Sequence, residues 1–171
     1  MSLPALDFAT VAAPVETESM IRRSVWMSIP PPINRVLETS LYVDSLERSI
    51  AFYRLVFGLE ILLHDDRMCA LSVPGRQVLL LFRKGGSIRP SETEAGLIPP
   101  HDASGNQHLC FSIERDALDA WQEHLAALSI EIESRLDWRK GGSSLYFRDP
   151  DGHSIEVGTA GLWQNDPIQP H

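Results

Sequence analysis

Hydrophobic residues along the first half of the chain change their spacing at regular points, and each spacing predicts an element. Residues 36–43 predict a β-strand in which Leu37, Leu41 and Val43 form the apolar face. Apolar residues then recur at helical intervals and predict an amphipathic helix before Gly58; they are Leu46, Ile50, Tyr53 and Phe57. Three short apolar segments divided by turn residues predict three strands; they lie at 59–63, 68–73 and 76–83.

The second half of the chain repeats this order. Residues 84–105 are rich in Gly, Ser, Pro and Glu and are interpreted as a linker. A strand at 108–113 follows, and then a helix predicted by apolar residues at helical spacing; these are Leu118, Trp121, Leu125 and Leu128. Three more strands are predicted, at 130–132, 144–148 and 154–157. The letters repeat as well, because Gly58-Leu59-Glu60-Ile61 resembles Ser129-Ile130-Glu131-Ile132.

A duplicated βαβββ unit accounts for this repetition. The predicted fold class is α+β, with two paired βαβββ modules that form open, cup-like mixed β-sheets with helices outside. We place the modules at about 35–84 and 106–160, within one domain at 35–165. Residues 1–34 lack sustained periodicity, end close to three consecutive prolines and are interpreted as an N-terminal extension.

Composition narrows the possible partners. The chain has 171 residues and a formal charge of −8, and such a surface repels phosphate backbones and acidic lipid headgroups, so neither nucleic acid nor a membrane is expected as a partner. The first residues lack the basic start of a secretory signal, which predicts a cytoplasmic protein. Cys69 and Cys110 lie in apolar runs and are expected to be buried thiols in a reducing compartment.

Strand alternation directs three polar side chains toward the inner side of the predicted cup. Glu38, His108 and Glu156 each stand opposite in phase to the apolar residues of their strands. Two carboxylates and one imidazole suit a divalent cation such as zinc, manganese, nickel or iron, and three protein ligands leave positions open for substrate. Each residue alone is more typical of a strand surface or rim, so the prediction depends on their shared phase.

Four segments carry a resemblance to a known family. They are Leu37-Glu38-Thr39-Ser40-Leu41-Tyr42-Val43, Leu46-Glu47-Arg48-Ser49-Ile50-Ala51-Phe52-Tyr53, Gln107-His108-Leu109 and Tyr146-Phe147-Arg148-Asp149-Pro150-Asp151-Gly152-His153-Ser154-Ile155-Glu156. Together they resemble the glyoxalase/bleomycin resistance/extradiol dioxygenase superfamily, also called vicinal oxygen chelate proteins, over residues 35 to about 160. The resemblance implies paired βαβββ modules with metal ligands on the first and last strands of each module.

The resemblance places the three candidate ligands at family positions. Glu38 stands where His or Gln is more common, while His108 and Glu156 match the ligands of the second module. The fourth position falls at Leu80, whereas glyoxalase I and methylmalonyl-CoA epimerase have Glu or Gln there. Tyr146 resembles a substrate-binding tyrosine of the extradiol dioxygenases and is a candidate catalytic residue together with Glu156; the alternative is a core or interface tyrosine.

Four further polar residues lie outside the predicted strands and helices. Arg139 and Lys140, in a loop with two glycines, are candidates for contact with an anionic substrate, or else belong to a solvated loop. His101 and His153 lie in a linker and a turn, and both are expected to be exposed.

The resulting hypothesis is a metal-dependent enzyme, active on a small substrate that chelates the ion through adjacent oxygens by lyase, isomerase or oxygenase chemistry. Two alternatives stay open: an extradiol ring-cleaving dioxygenase, and a metal-free protein that sequesters a ligand, as bleomycin-resistance proteins do. A homodimer, or a monomer whose two modules pair within the chain, is expected because one module alone leaves its inner face uncovered.

Overall fold

The computed structural model describes residues 30–139 and 141–165. The chain divides into two compact units, residues 1–35 and 36–171. Within the first unit, residues 30–35 are described and form neither helix nor strand, and most of the predicted N-terminal extension lies outside the described residues. No helix in the described part of the chain is long and apolar enough to cross a membrane.

The first module has the predicted βαβββ order. Its elements are β1 (Glu38–Val43), α1 (Leu46–Phe57), β2 (Glu60–His64), β3 (Met68–Val73) and β4 (Gln77–Arg83). The strands form one sheet in the order β1-β4-β3-β2, in which β1 runs parallel to β4 and the other neighbours are antiparallel. This mixed sheet confirms the first predicted module.

The second module repeats the arrangement. Its elements are β7 (His108–Ile113), α2 (Leu118–Ala127), β8 (Ile132–Asp137), β9 (Ser143–Arg148) and β10 (Ser154–Thr159). Its sheet has the order β7-β10-β9-β8, again with a parallel pair between the first and last strands. The segment between the modules adds a small hairpin of β5 (Ser91–Thr93) and β6 (Gly96–Ile98). The α+β class with two four-stranded sheets is confirmed.

The two helices end in the same backbone conformation, as expected for a duplicated module. Gly58 follows α1 in the left-handed region at φ 67°, and its N–H donates to the carbonyl of Arg54. Ser129, the residue matched to Gly58 in the repeat, also has a positive φ of 57° although it is not glycine. The N–H of Ile130 donates back to Leu125, so residue 130 still belongs to the helix end. This explains why β8 begins at 132 rather than at the predicted 130.

The two modules share one hydrophobic core. Helix-side residues of both sheets and apolar residues of both helices form a single buried cluster; it includes Leu41, Tyr53, Leu79, Leu125, Phe147 and Ile155. Phe57, at the end of α1, stacks on Phe147 of the second sheet and contacts Phe111 and Trp121. Because strand side chains alternate, the inner face of each sheet lies on the side away from this shared core.

A turn of the second module is hydrogen-bonded to the first module. This closing turn, residues 149–152, joins β9 to β10, and its Asp149 carboxylate accepts hydrogen bonds from the Tyr53 hydroxyl at 2.9 Å and the His153 N–H at 2.8 Å. Burial and the neighbouring Asp149 raise the pKa of Tyr53 well above its ordinary range. The closing turn therefore packs against α1 through a buried phenol and carboxylate.

His153 connects the two modules, and the expectation that it is exposed is wrong. Its side chain is fully buried. The Gln107 N–H donates to Nδ1 at 3.0 Å, so Nδ1 accepts and Nε2 carries the hydrogen that it donates to the carbonyl of Tyr42 at 3.0 Å. The residue types of the turn do not indicate this burial, because both hydrogen-bond partners of His153 are backbone groups distant in sequence.

Asp151 makes the stability of this connection pH-dependent. Burial alone would raise the pKa of Asp151, but the N–H of Asp44, the Ser49 hydroxyl and the nearby Arg48 guanidinium lower it below its ordinary value. A carboxyl whose pKa is lowered on folding stabilises the protein above its unfolded pKa, near 3.8, and this contribution is lost as the pH falls through the folded pKa.

We therefore expect Asp151→Asn to reduce the acid dependence of stability. In urea unfolding between about pH 7 and pH 2.5, the variant should lose less free energy of unfolding on acidification than the wild type. Asp66→Asn, at an exposed position in the β2–β3 turn, is the matched control. Identical acid profiles for Asp151→Asn and the wild type would contradict the assignment.

Candidate active site

A cavity of about 330 Å³ lies on the inner face of the second sheet. Its wall combines strand residues with the segment that follows β10; the lining residues are His108, Cys110, Trp138, Tyr146, Glu156, Leu162 and Trp163. We call this space the cup cavity. Register explains the grouping, because Glu156 in the centre of the sheet has Cys110 of β7 on one side and Tyr146 of β9 on the other.

His108 and Glu156, two of the three predicted ligands, meet in the cup cavity. Nε2 of His108 is 3.3 Å from Oε2 of Glu156. Nδ1 of His108 lies 3.1 Å from the carbonyl of Ser154, and because a carbonyl only accepts, Nδ1 must carry a hydrogen. In the neutral imidazole the Nε2 lone pair then faces a carboxylate oxygen, and two acceptors at this distance require a proton or a cation between them.

The carboxylate of Glu156 has unused capacity to bind a ligand. Its side chain is only 6% exposed, whereas that of His108 is 52% exposed. Oε1 of Glu156 is buried and makes no hydrogen bond of normal geometry among the described residues, although the Cys110 thiol and the Tyr146 phenol both interact with this carboxylate. A buried carboxylate oxygen without a partner is costly unless a cation or another donor binds it. The pair of side chains therefore fits a divalent cation that takes one nitrogen and one carboxylate ligand.

Tyr146 faces the same cavity, in agreement with its predicted phase. Its ring stacks near the imidazole of His108, with 6.1 Å between the ring centroids and 24° between the ring planes. Burial raises the pKa of Tyr146 to about 12, and the Glu156 carboxylate adds to the increase. The phenol is therefore a hydrogen-bond donor at neutral pH.

Glu38, the third predicted ligand, does not join His108 and Glu156 within the chain. It is exposed at the start of β1 and lines a separate cavity of about 40 Å³ beside Leu109 and Cys110. Among residues 30–139 and 141–165, no group of three or more His, Cys, Asp and Glu side chains is arranged to hold a metal ion.

The inner face of the first sheet is apolar. Leu80, at the fourth family position, pairs in register with Ser40 and Ala70 and packs against a cluster around Tyr42 and Phe82. His101, expected to be exposed, instead half covers this face: its Nδ1 lies 2.6 Å from the Tyr42 hydroxyl, and its ring contacts Phe82 edge-on. The end of the linker thus covers part of the first inner face.

Several residues of the cup cavity were not predicted as functional. Trp163 and Leu162 follow the last strand, where no periodic pattern indicates their position, and Trp138 stands at a loop. Cys110 was expected to be buried, but it is exposed at the cavity wall because its phase is that of His108. Arg139 is exposed, and Lys140 lies outside the described residues.

Comparison with known proteins agrees with this architecture. Metallothiol transferase FosB of Lysinibacillus sphaericus is 32% identical over 122 residues, which cover 70% of this chain and 78% of that protein. Catechol-2,3-dioxygenase of Bacillus subtilis is 32% identical over 133 residues, which cover 74% of this chain but only 42% of that protein. The matched relatives therefore differ in the reaction that their names state.

A solved structure and a family model extend the match. The crystal structure of lactoylglutathione lyase from Agrobacterium tumefaciens superposes with a TM-score of 0.72 at 40% identity and covers 78% of this chain and 99% of that one. The model of the Glyoxalase/Bleomycin resistance protein/Dioxygenase superfamily matches residues 33–157, which include the first module, the second module up to the middle of β10, and all three candidate ligands. The chain therefore belongs to this superfamily.

Proposed function

We propose that the protein is a metal-dependent enzyme that binds one divalent ion through His108, Glu156 and Glu38 and acts on a small substrate with adjacent oxygens. The observation that carries the proposal is the approach of Nε2 of His108 to within 3.3 Å of Oε2 of the buried Glu156 carboxylate while Nδ1 donates to Ser154, so that two acceptor atoms face each other. A bound ion supplies positive charge that stabilises negative charge developing on a substrate oxygen. Zinc, manganese, nickel and ferrous iron all suit one nitrogen and two carboxylate ligands.

The residues of the cup cavity have distinct tasks in this proposal. The hydrogen bond between Nδ1 of His108 and Ser154 orients the imidazole and leaves Nε2 as the ligand atom. Glu156 supplies a negative charge within a largely apolar wall. Tyr146 donates a hydrogen bond to a substrate oxygen, because its phenol opens into the same cavity. Isomerase or lyase chemistry needs only these groups, since together they bind and orient the substrate and stabilise the negative charge that develops on it.

Glu38 is proposed to come from a second copy of the chain. The inner faces of the two sheets lie away from the shared core, and the described residues that line the cup cavity all belong to the second module and the segment after it. The edge strand β2 exposes Ile61, Leu62 and Leu63, an apolar run that favours contact with another chain. A two-fold dimer would place the first inner face of one chain over the cup cavity of its partner.

A mixed-dimer experiment tests both the ligands and their origin. Chains with Glu38→Gln and chains with Glu156→Gln carry different affinity tags, and the doubly tagged dimer is isolated. If each site takes Glu38 from one chain and Glu156 from the other, one site of the mixed dimer is intact, and it should bind about half as much zinc as the wild type. Each pure variant should bind almost none at the same zinc concentration.

Three results would overturn the proposal. A mixed dimer as empty as the pure variants would show that no site takes Glu38 from one chain and Glu156 from the other, and a chain that is monomeric at every concentration would exclude the second copy. Wild-type zinc binding in both pure variants would remove the metal centre and favour the metal-free ligand-binding protein. Glu133→Gln is the matched control, because Glu133 pairs with Arg148 at 2.8 Å and does not line the cup cavity.

Ring cleavage of a catechol with dioxygen is the second candidate function. It is favoured by the position of Tyr146 beside His108 and by the similarity to catechol-2,3-dioxygenase. This reaction requires ferrous iron, so activity found only with ferrous iron and dioxygen, and absent with zinc, would select it over isomerase or lyase chemistry.

A further inference from the structure

One histidine outside the cup cavity is held on the inner face of the first sheet. Nδ1 of His101 lies 2.6 Å from the hydroxyl of Tyr42, and the imidazole lies edge-on to Phe82, with 4.5 Å between the ring centroids. Among the described residues, no hydrogen bond reaches Nε2 of this half-buried ring. His101 therefore has one ring nitrogen bound to a phenol and the other available on this face.

Hydrogen bonds to other residues fix both members of this pair. The N–H of Tyr42 donates to Oε1 of Gln107 at 3.0 Å, and the carbonyl of Tyr42 accepts from His153 at 3.0 Å. The N–H of His101 donates to the carbonyl of Ser87 at 2.9 Å. The backbone of each residue is thus held independently of the bond between their side chains.

The pair stands next to Leu80, the residue at the fourth family position. Leu80 and Phe82 both face the inner side of β4, and two residues of a strand span about 7 Å. Because His101 contacts Phe82, its imidazole lies one inward-facing position beyond Leu80. The first inner face has no carboxylate at Leu80, but it has an imidazole beside that position.

The described residues of the cup cavity leave no side chain free to accept a proton. His108 and Glu156 are the proposed metal ligands, and the other titratable groups are the Cys110 thiol and the Tyr146 phenol. Thiols and phenols are ordinarily protonated at neutral pH. With these groups alone, a proton that leaves the substrate passes to solvent water.

We infer that His101 of one chain is the general acid–base residue for the cup cavity of the partner chain, and that Tyr42 is its positioning residue. The inference rests on the proposed function, in which the first inner face of one chain covers the cup cavity of the other. Nε2 takes a proton from a carbon next to a carbonyl group. The electron pair of that C–H bond forms the double bond of an enolate, the carbonyl π pair moves to oxygen, and Nε2 returns the proton to carbon.

The Tyr42 phenol can hold the imidazole in the tautomer that this step requires. Nε2 accepts a proton only when the hydrogen of the neutral ring is on Nδ1. Nδ1–H then donates to the phenol oxygen, and it keeps this bond in the imidazolium that forms. A fixed acceptor at one ring nitrogen thus sets the state of the other.

Nitrogen-15 spectra of the metal-free protein test this arrangement without any substrate. His101 should carry its hydrogen on Nδ1 in the wild type, and Tyr42→Phe should shift the population toward hydrogen on Nε2. A wild-type His101 with its hydrogen on Nε2 would contradict the role of base.

Paramagnetic broadening by manganese(II) tests whether His101 faces the partner's site. A mixed dimer is prepared from a Glu156→Gln chain and a Glu38→Gln chain, so that the one intact site combines Glu38 of the first chain with the cup cavity of the second. When the first chain alone carries isotope-labelled histidine, manganese(II) should broaden its His101 signal and leave its His108 signal sharp. With the label in the second chain, His108 should be broadened and His101 sharp.

The results for the ion and for His101 are distinguishable. Broadened His108 with sharp His101 in both samples would overturn the inference and preserve the metal centre. Broadening of His101 only when the label is in the second chain would place it over the cavity of its own chain, which also contradicts the inference. If both histidines stay sharp in both samples, no ion is bound, and the proposed function fails together with the inference.

Hydrogen exchange in hydroxyacetone tests the chemical step. This probe has adjacent oxygens and a hydroxymethyl carbon next to its carbonyl. In deuterium oxide the zinc-loaded wild type should introduce deuterium at that carbon, because Nε2–H exchanges with solvent before the proton returns. His101→Gln should slow this exchange at least about 100-fold without changing zinc affinity.

Tyr42→Phe separates catalysis from a structural role of His101. The variant retains the imidazole and should slow the exchange less than His101→Gln does. Glutamine can keep a hydrogen bond to Tyr42, so a merely structural role of His101 predicts the opposite order of the two variants. That opposite order, or a wild type that exchanges no hydrogen of hydroxyacetone, would overturn the assignment of His101.

Discussion

Replacing Glu156 by Gln should abolish most divalent-ion binding by this protein. Changes among the outer partners of metal ligands typically lower affinity 10- to 100-fold, and loss of a direct anionic ligand is expected to exceed about 100-fold. The physical reason is that Gln keeps the volume of the side chain but removes its negative charge and replaces one of the two carboxylate oxygens by an NH₂ group, which cannot bind a cation. Competition with a chromogenic chelator measures the affinity for zinc, manganese, nickel and ferrous iron.

The same variant gives a second measurement in the metal-free protein. A buried carboxylate oxygen without a partner destabilises the fold, so thermal unfolding of metal-free Glu156→Gln should occur at or above the wild-type temperature. Glu133→Gln should leave both measurements unchanged. Retained metal affinity in Glu156→Gln would show that no ion is bound there, and a large fall in the unfolding temperature would show that Glu156 is instead a structural residue.

Replacing His153 by Ala should cost about 3 kcal/mol or more of the free energy of unfolding. The substitution leaves a cavity, and it removes the partner of the Gln107 N–H and of the Tyr42 carbonyl at once. Urea unfolding at a fixed protein concentration measures the change.

Two controls identify the origin of this loss. His153→Gln retains one donor and one acceptor and should recover part of the stability, whereas His64→Ala, at an exposed position on β2, should change it by less than about 0.5 kcal/mol. The zinc affinity of folded His153→Ala should equal that of the wild type. A stability loss below about 1 kcal/mol would contradict the connecting role of this histidine.

The strands and helices could be predicted from the sequence because each has its own short-range spacing of apolar residues. Alternation assigned Glu156 and Tyr146 to the inner side and Ile155 and Val157 to the core, and the burial of the latter two confirms it. Repetition of the element order then predicted two sheets, and the structure has both.

The parts that escaped prediction depend on contacts between distant residues. His153 follows a turn of mostly polar residues, yet it is buried and hydrogen-bonded to backbone groups of Tyr42 and Gln107. Trp163 lies beyond the last periodic segment, and its position depends on Leu162 fitting against two glycines. The place of Glu38 could not be read from phase alone, because phase gives the face of a sheet and not the direction in which that face points.

The closing turn also imposes an order on folding during synthesis. The bonds from Tyr53 to Asp149 and from Tyr42 to His153 join residues 96 and 111 positions apart. Because a chain emerges from the ribosome with its N-terminal part first, the first module must wait for roughly a hundred further residues before these partners exist. Until then α1 exposes the apolar surface that later contacts Phe147. The nascent first half therefore carries apolar surface before the partner that covers it has been made, and surface of this kind favours aggregation.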